Sequence, residues 1–255
     1  MRNLAFFQKE LLEQRRTGKV TILLILFVLF GIMNPAIAKL TPWLLEMLAD
    51  SLAESGMTVT SVTVTAMDSW VQFFKNIPMA LIAFVLLEGS IFTREYRAGT
   101  LVLSLTKGLS RRRVVLSKAM VLTGLWTLGY WLCFLITYGY NAWFWDNAVA
   151  QKLLFSVLCW WLFGLWIVGL ITLFSVLGDT NTAVLLGTGS VVLICYLVSL
   201  IPQCSRFLPI ALINGNGIIH GSTDPRELIP AVCITVGTAL VCLTASIPLF
   251  NKKQL

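Results

Sequence analysis

Apolar residues in this chain fall in blocks about 20 long, the length a helix needs to cross the hydrocarbon of a bilayer at about 1.5 Å rise per residue. Six such blocks stand out: about Val20 to Ala38, Val71 to Phe92, Ala119 to Tyr140, Leu153 to Leu177, Ala183 to Ile201 and Ala231 to Phe250. Charged residues are 12% of the 255, where an average soluble domain carries about 25%. A water-soluble fold of this length could not bury so much apolar surface in one core, so disorder, a coiled coil and a secreted disulfide scaffold are excluded. The expectation is an all-α membrane protein with six transmembrane helices, forming one domain over residues 1–255. Five of the six cysteines lie in the apolar blocks and read as small apolar fillers. With no CxxC pair and a single histidine, the usual zinc ligand sets are unavailable, and no metal or cofactor is expected in this chain.

The net charge of +7 is explained by topology. If the six blocks span in alternation, 14 of the 19 Lys and Arg residues fall on one side, including Arg2 to Lys19, Arg94 to Lys118, Lys252 and Lys253. Cytoplasmic loops carry the excess of basic residues, which places both termini in the cytoplasm. Glu46, Asp50, Glu54 and Asp68 cluster in the first outer loop and reinforce the split. Ala36 to Ala38 resembles a signal-peptide cleavage site, but Glu10 and Glu13 make the preceding stretch too acidic for one. Within residues 1–18, Leu4, Phe7 and Leu11 share one helical face and the charged residues lie largely on the other. That pattern suits an amphipathic helix in the membrane interface, joined to the first span through Thr17 and Gly18.

No convergent set of reactive groups marks an enzyme. His220 lies in the last outer loop and Ser190 in the middle of the fifth span, so they do not form a nucleophile and base pair. The only Gly-Lys dipeptide, Gly18-Lys19, is followed by Val20, so no phosphate-binding loop is present and ATP must be bound by another polypeptide. Glu88, inside the second span, faces either a translocation path or gate, or pairs locally with Arg94. Trp126 and Trp166 lie deep in spans three and four, where they either pack or line a route for an amphipathic substrate.

The informative loop is 93–118, between spans two and three: a polar start, a short apolar stretch from Leu101 to Leu105, a glycine break and a basic exit. It is too short to span and suits a short helix offering Leu101, Val102 and Leu105 to a groove on a partner; packing on the chain's own bundle is the alternative. Glu95, Gly99, Thr100, Leu101, Leu105, Thr106, Lys107, Ser110, Arg111 and Lys118 resemble the loop motif of ABC-2 permeases, the membrane subunits of ATP-binding-cassette exporters, with Gly108 where that family usually has proline. Lys9 to Leu12 and Phe73 to Asn76 extend the likeness. The resemblance implies a coupling helix centred on Arg97 to Lys107, docking on a separate ATPase subunit that carries ATP and magnesium. It implies a dimer of permeases, a homodimer or a heterodimer with a related permease, in the cell membrane. It also implies an outer re-entrant segment at 203–230 that closes the pathway. The deep tryptophans incline the substrate toward an amphipathic or antimicrobial peptide or a lipophilic drug. An intramembrane enzyme and a non-transporting anchor or sensor for a cytosolic partner are the rival readings. On this reading Gly99→Pro or a charge at Leu101 is expected to uncouple ATPase stimulation without blocking insertion.

Overall fold

A computed structural model describes residues 2–47, 63–106 and 108–253. The described residues are helical throughout, apart from turns. Eleven α-helices follow in order: α1 (Arg2–Arg16), α2 (Lys19–Met47), α3 (Ala66–Glu88), α4 (Thr93–Ala98), α5 (Thr100–Thr106), α6 (Arg111–Phe144), α7 (Leu153–Leu177), α8 (Asn181–Ser199), α9 (Pro202–Ser205), α10 (Gly215–Ile219) and α11 (Pro225–Lys252). Two 3-10 turns, Asn147–Val149 and Pro209–Ile213, lie between them. Six of the helices are long and apolar enough to cross a membrane, and they coincide with the six sequence blocks.

The ends of these helices depart from the sequence reading. The helix α2 continues beyond Ala38 and carries both Pro35 and Pro42 inside it. Proline removes one backbone donor and crowds the preceding turn, yet membrane helices tolerate it where side chains supply other hydrogen bonds; here the Thr137 hydroxyl donates at 3.0 Å to the Gly31 carbonyl, which Pro35 leaves without its backbone donor. The basic run Arg111 to Lys118, expected as part of the loop, is already the first two turns of α6. The loop proper therefore ends at Ser110 and holds two short helices, α4 and α5, rather than one.

The core forms where α2, α3, α6 and α7 meet and α11 packs along α7. Trp126 is fully buried there, edge-on to Phe27 and Phe84, with ring centroids 5.9 and 5.5 Å away. Its indole N–H donates to the Trp161 carbonyl at 3.0 Å. Gly164 of α7 is what admits this ring: a Cβ there would lie 2.0 Å from Trp126. A chain of polar side chains also ties three helices inside the apolar region, Asn76 donating to Asn34 at 2.8 Å and Asn34 to Thr137 at 3.1 Å. In hydrocarbon such bonds hold helices together where apolar contact alone gives no preference for protein over lipid. By contrast α8 leaves Leu186, Leu193, Ile194 and Leu197 exposed.

At the end of the bundle opposite α1, the segment between α8 and α11 folds back against α7. The Trp160 indole donates to the Ile213 carbonyl at 2.9 Å and the Ser156 hydroxyl to the Gly215 carbonyl at 3.2 Å. Trp160 lies seven residues inside α7, so the segment reaches about 10 Å along that helix at 1.5 Å per residue. Gly215 is required at the contact, because a Cβ there would stand 2.3 Å from the Phe74 ring. Broken backbone at this depth is stable because protein side chains take up its carbonyls. Of residues 203–230, expected as a re-entrant segment, those from Pro225 on already belong to α11.

Candidate functional site

All the helix ends bearing the basic excess gather at one end of the bundle, and there buried charges join α1, α4 and α6. Lys118, the residue just before the apolar block of α6, is 1% exposed. Its ammonium lies 2.7 Å from Glu10 Oε2 on α1 and 2.9 Å from Glu95 Oε2 on α4, and donates to the Ile91 carbonyl at 3.0 Å. The Glu95 contact is an ion pair without hydrogen-bond alignment at that oxygen. Lys9 bonds the other Glu95 oxygen and pairs with Glu10 and Glu13 at 3.0 Å each. Arg94 closes the cluster on Glu13 at 2.6 Å. Glu10, Glu13 and Glu95 converge as a metal site would require, but the Lys9 and Lys118 ammoniums sit among them and supply the positive charge. The arrangement is an ion-pair lock.

The face of α1 that meets the protein is Phe6, Glu10 and Gln14, while Leu11 and Leu12 point outward. The helix thus presents polar residues inward to partners and apolar residues outward, as an interfacial helix beside a bundle must. Burial alone would lower the Lys9 pKa; the hydrogen bond to Glu95 and the nearby carboxylates outweigh it and hold the group above the usual lysine value. Burial likewise works to raise the Glu13 pKa, and Lys9 and Arg94 overcome it, so this carboxyl titrates below its usual range. The sign follows: Glu13 stabilises the fold above its unfolded pKa of about 4.3 and loses that contribution as pH falls through its lower folded value. Lys9 contributes below about pH 10.4 and loses its contribution only as pH rises through its still higher folded pKa. Thermal melting in detergent should be flat from about pH 5 to 9 and fall below about pH 4, with Glu13→Gln blunting part of the acid loss. Both groups are partly exposed, so the effect is modest.

Basic side chains also close neighbouring helix ends. Arg111 donates to the Phe250 carbonyl at 2.7 Å and the Lys253 carbonyl at 2.5 Å, capping α11. Lys253 donates to the Val176 and Gly178 carbonyls at 2.9 Å each and pairs with Asp179, capping α7. Lys19 donates to the Leu87 carbonyl at 2.5 Å and lies 4.0 Å from Glu88. Cations at helix C-termini satisfy the orphan carbonyls and oppose the helix dipole.

The sequence-predicted residues divide accordingly. Glu95 is buried in the lock, and Gly99 makes the break between α4 and α5 with φ +64°. Arg97 and Val102 are exposed, as are Thr100 and Ser110, the latter at the N-cap of α6. Leu105 is half-buried against the core. Lys107 lies outside the described residues. Leu101 requires a correction: it is 1% exposed and belongs to the chain's own core, so it offers nothing to a partner and a charge there would unfold the loop. Gly99→Pro is equally unsuitable as an uncoupling test, because proline cannot take a positive φ. Glu88 is fully buried and accepts from the Gln14 amide at 2.8 Å; Arg94, its expected partner, is on Glu13 instead. The cavity beside it, between Gln14, Thr17, Lys19 and Ser90, is about 10 Å³, too small for a substrate. Trp126 and Trp166 are both buried within the chain and pack there. Ser190 lies nine residues before the end of α8, about 14 Å from the level of the loop that bears His220.

What sequence reasoning missed is the lock itself. Lys9, Glu10, Glu95 and Lys118 all belonged to the family likeness, but nothing in the sequence paired them, and Glu10 and Glu13 otherwise read as acidity that argued against a signal peptide. The available signal was an acidic residue repeated on the inner face of a helix beside a basic, anion-attracting surface.

A six-span helical bundle whose short loop helices are clamped to an interfacial helix is a multi-pass membrane protein of the transporter-permease class. Residues 4–214 match the family model of the ABC-2 family transporter protein. The chain belongs to that family, as a membrane permease of an ATP-binding-cassette transporter. No curated protein and no solved structure matched it significantly.

Proposed function

We propose that this chain is the permease subunit of an ATP-driven exporter in the cell membrane, with both termini cytoplasmic. Two permeases form the pathway, and each receives the stroke of a separate ATPase subunit through α4 and α5. The observation that supports this most is the Lys118, Glu10 and Glu95 lock, because it ties the exposed loop helices to two other elements at once. The Tyr96 hydroxyl adds a third tie, donating to the Ser175 carbonyl at the end of α7 at 3.0 Å. A push on α4 therefore cannot stay local: α1, α6 and α7 must move with it or the ion pairs must break.

The surface that meets the ATPase is the outward side of the loop, where Arg97 and Val102 project. ATP and magnesium belong to the ATPase, and the permease supplies no catalytic group. Trp126 and Trp166 pack inside the chain, so the proposed substrate classes, amphipathic or antimicrobial peptides and lipophilic drugs, rest on the family likeness. Co-purification from membranes in lipid nanodiscs tests the assembly. Two permeases with two ATPases is the expected stoichiometry, and a permease that purifies with no ATPase under any nucleotide condition would contradict it.

A further inference from the structure

At the end of the bundle opposite the lock, a cleft of about 340 Å³ opens between the last turn of α8, the re-entrant segment and the first turn of α11. Tyr196, Ser199, Arg206, Asn214, Thr223 and Glu227 line it. Its size is at the small end of the range of about 300–1,000 Å³ typical of small-molecule sites. Two of its walls carry opposite charge, and neither Arg206 nor Glu227 has an ion-pair partner among the described residues. Arg206 lies over the Phe207 ring, 4.8 Å from its centroid, and is exposed. Other exposed charges, such as Arg97, Arg112 and Arg226, likewise have no ion pair among the described residues; what sets Arg206 and Glu227 apart is that both line one cleft.

The position of the cleft narrows the ligand. It lies where one spanning helix ends at Ser199 and another begins at Pro225, the level of the lipid headgroups. Leu197, Leu200, Ile201 and Ile229 flank it and are exposed, giving an apolar surface for acyl chains beside a cleft whose lining mixes polar side chains with Ile210, Ile213 and Leu228. We propose that the cleft binds a zwitterionic phospholipid whose headgroup carries a primary ammonium. The guanidinium fork of Arg206 matches two phosphate oxygens, and the ammonium donates to the Glu227 carboxylate. A trimethylammonium headgroup has no N–H to donate, and an anionic headgroup sets its charge against Glu227.

Delipidated protein in detergent, titrated with phosphatidylethanolamine, phosphatidylcholine or phosphatidylglycerol and read by native mass spectrometry, tests this. The wild type should retain phosphatidylethanolamine about tenfold better than either rival, a difference of about 1.4 kcal/mol. Glu227→Gln should erase the preference over phosphatidylcholine, and Arg206→Gln should weaken retention of all three lipids. Both side chains are exposed, so unchanged melting temperatures are expected for both variants. Equal retention of the three lipids by the wild type, or variants that behave as wild type, would overturn the site. Displacement of the lipid by water-soluble phosphoethanolamine at equal concentration would overturn the lipid source in favour of a free zwitterion, and preferential capture of an amphipathic peptide would do the same.

Discussion

Lys118→Met is expected to lower stability by about 3–5 kcal/mol, the cost of breaking a buried ion pair and leaving charge behind. The reason is that Glu10 and Glu95 are 2% and 4% exposed, and removing the ammonium leaves both buried carboxylates with Lys9 as their one remaining cation. Lys9 cannot make up the loss, since its single charge is already shared among Glu10, Glu13 and Glu95. The loss should appear as a large fall in melting temperature in detergent and as release of α1 from the bundle, read by faster hydrogen exchange over residues 6–16. Adding Glu10→Gln and Glu95→Gln to Lys118→Met should recover much of the loss, because a neutral cluster of similar shape removes the stranded charge. A Lys118→Met protein that melts like the wild type would mean that the lock contributes nothing to holding the loop.

The second large effect lies in the core. In Gly164→Ala the new methyl would be placed 2.0 to 2.3 Å from the Trp126 ring, a contact that neither helix can absorb without moving. Alanine gains about 1 kcal/mol over glycine in a helix interior, whereas overpacking a tight core costs about 1–3 kcal/mol and occasionally more. Because Trp126 also packs on Phe27, Phe84 and Tyr130, it has no empty side to turn into, and the net effect should be clearly destabilising. A double-mutant cycle with Trp126→Leu checks the cause. The smaller side chain makes room for the methyl, so the pair should be less destabilised than the sum of the single changes by about 1 kcal/mol or more. Strict additivity would show that the clash is relieved elsewhere.

The six spans were legible because membrane crossing is written in composition: a run of apolar residues long enough to span needs no knowledge of its neighbours. Helix ends were less legible. The segment Arg111 to Lys118 is too basic to count as membrane, yet it is helical because it continues the turns of α6, and Pro35 and Pro42 hide the continuity of α2. The lock was not legible from pattern at all. Glu10 and Lys118 are 108 residues apart and Lys9 and Glu95 are 86 apart, so only the packing of α1 across the bundle brings them together. Leu101 shows the same limit in reverse. A leucine in a polar loop reads as an offered apolar residue, and nothing local reveals that the chain folds back to bury it. The loop's family likeness points to this segment, and the structure divides its residues between inward and outward sides.

That division makes the central claim testable at residues that do not hold the fold. Arg97 and Val102 project from the loop, so Arg97→Glu and Val102→Asp should leave melting temperature and membrane insertion unchanged. The most direct measurement is the ATPase rate of the purified permease and ATPase complex in nanodiscs, wild type against the Arg97→Glu, Val102→Asp double variant. If α4 and α5 carry the stroke, permease-dependent stimulation should fall at least tenfold while the variant remains folded. Stimulation equal to the wild type in a folded double variant would contradict coupling through this loop.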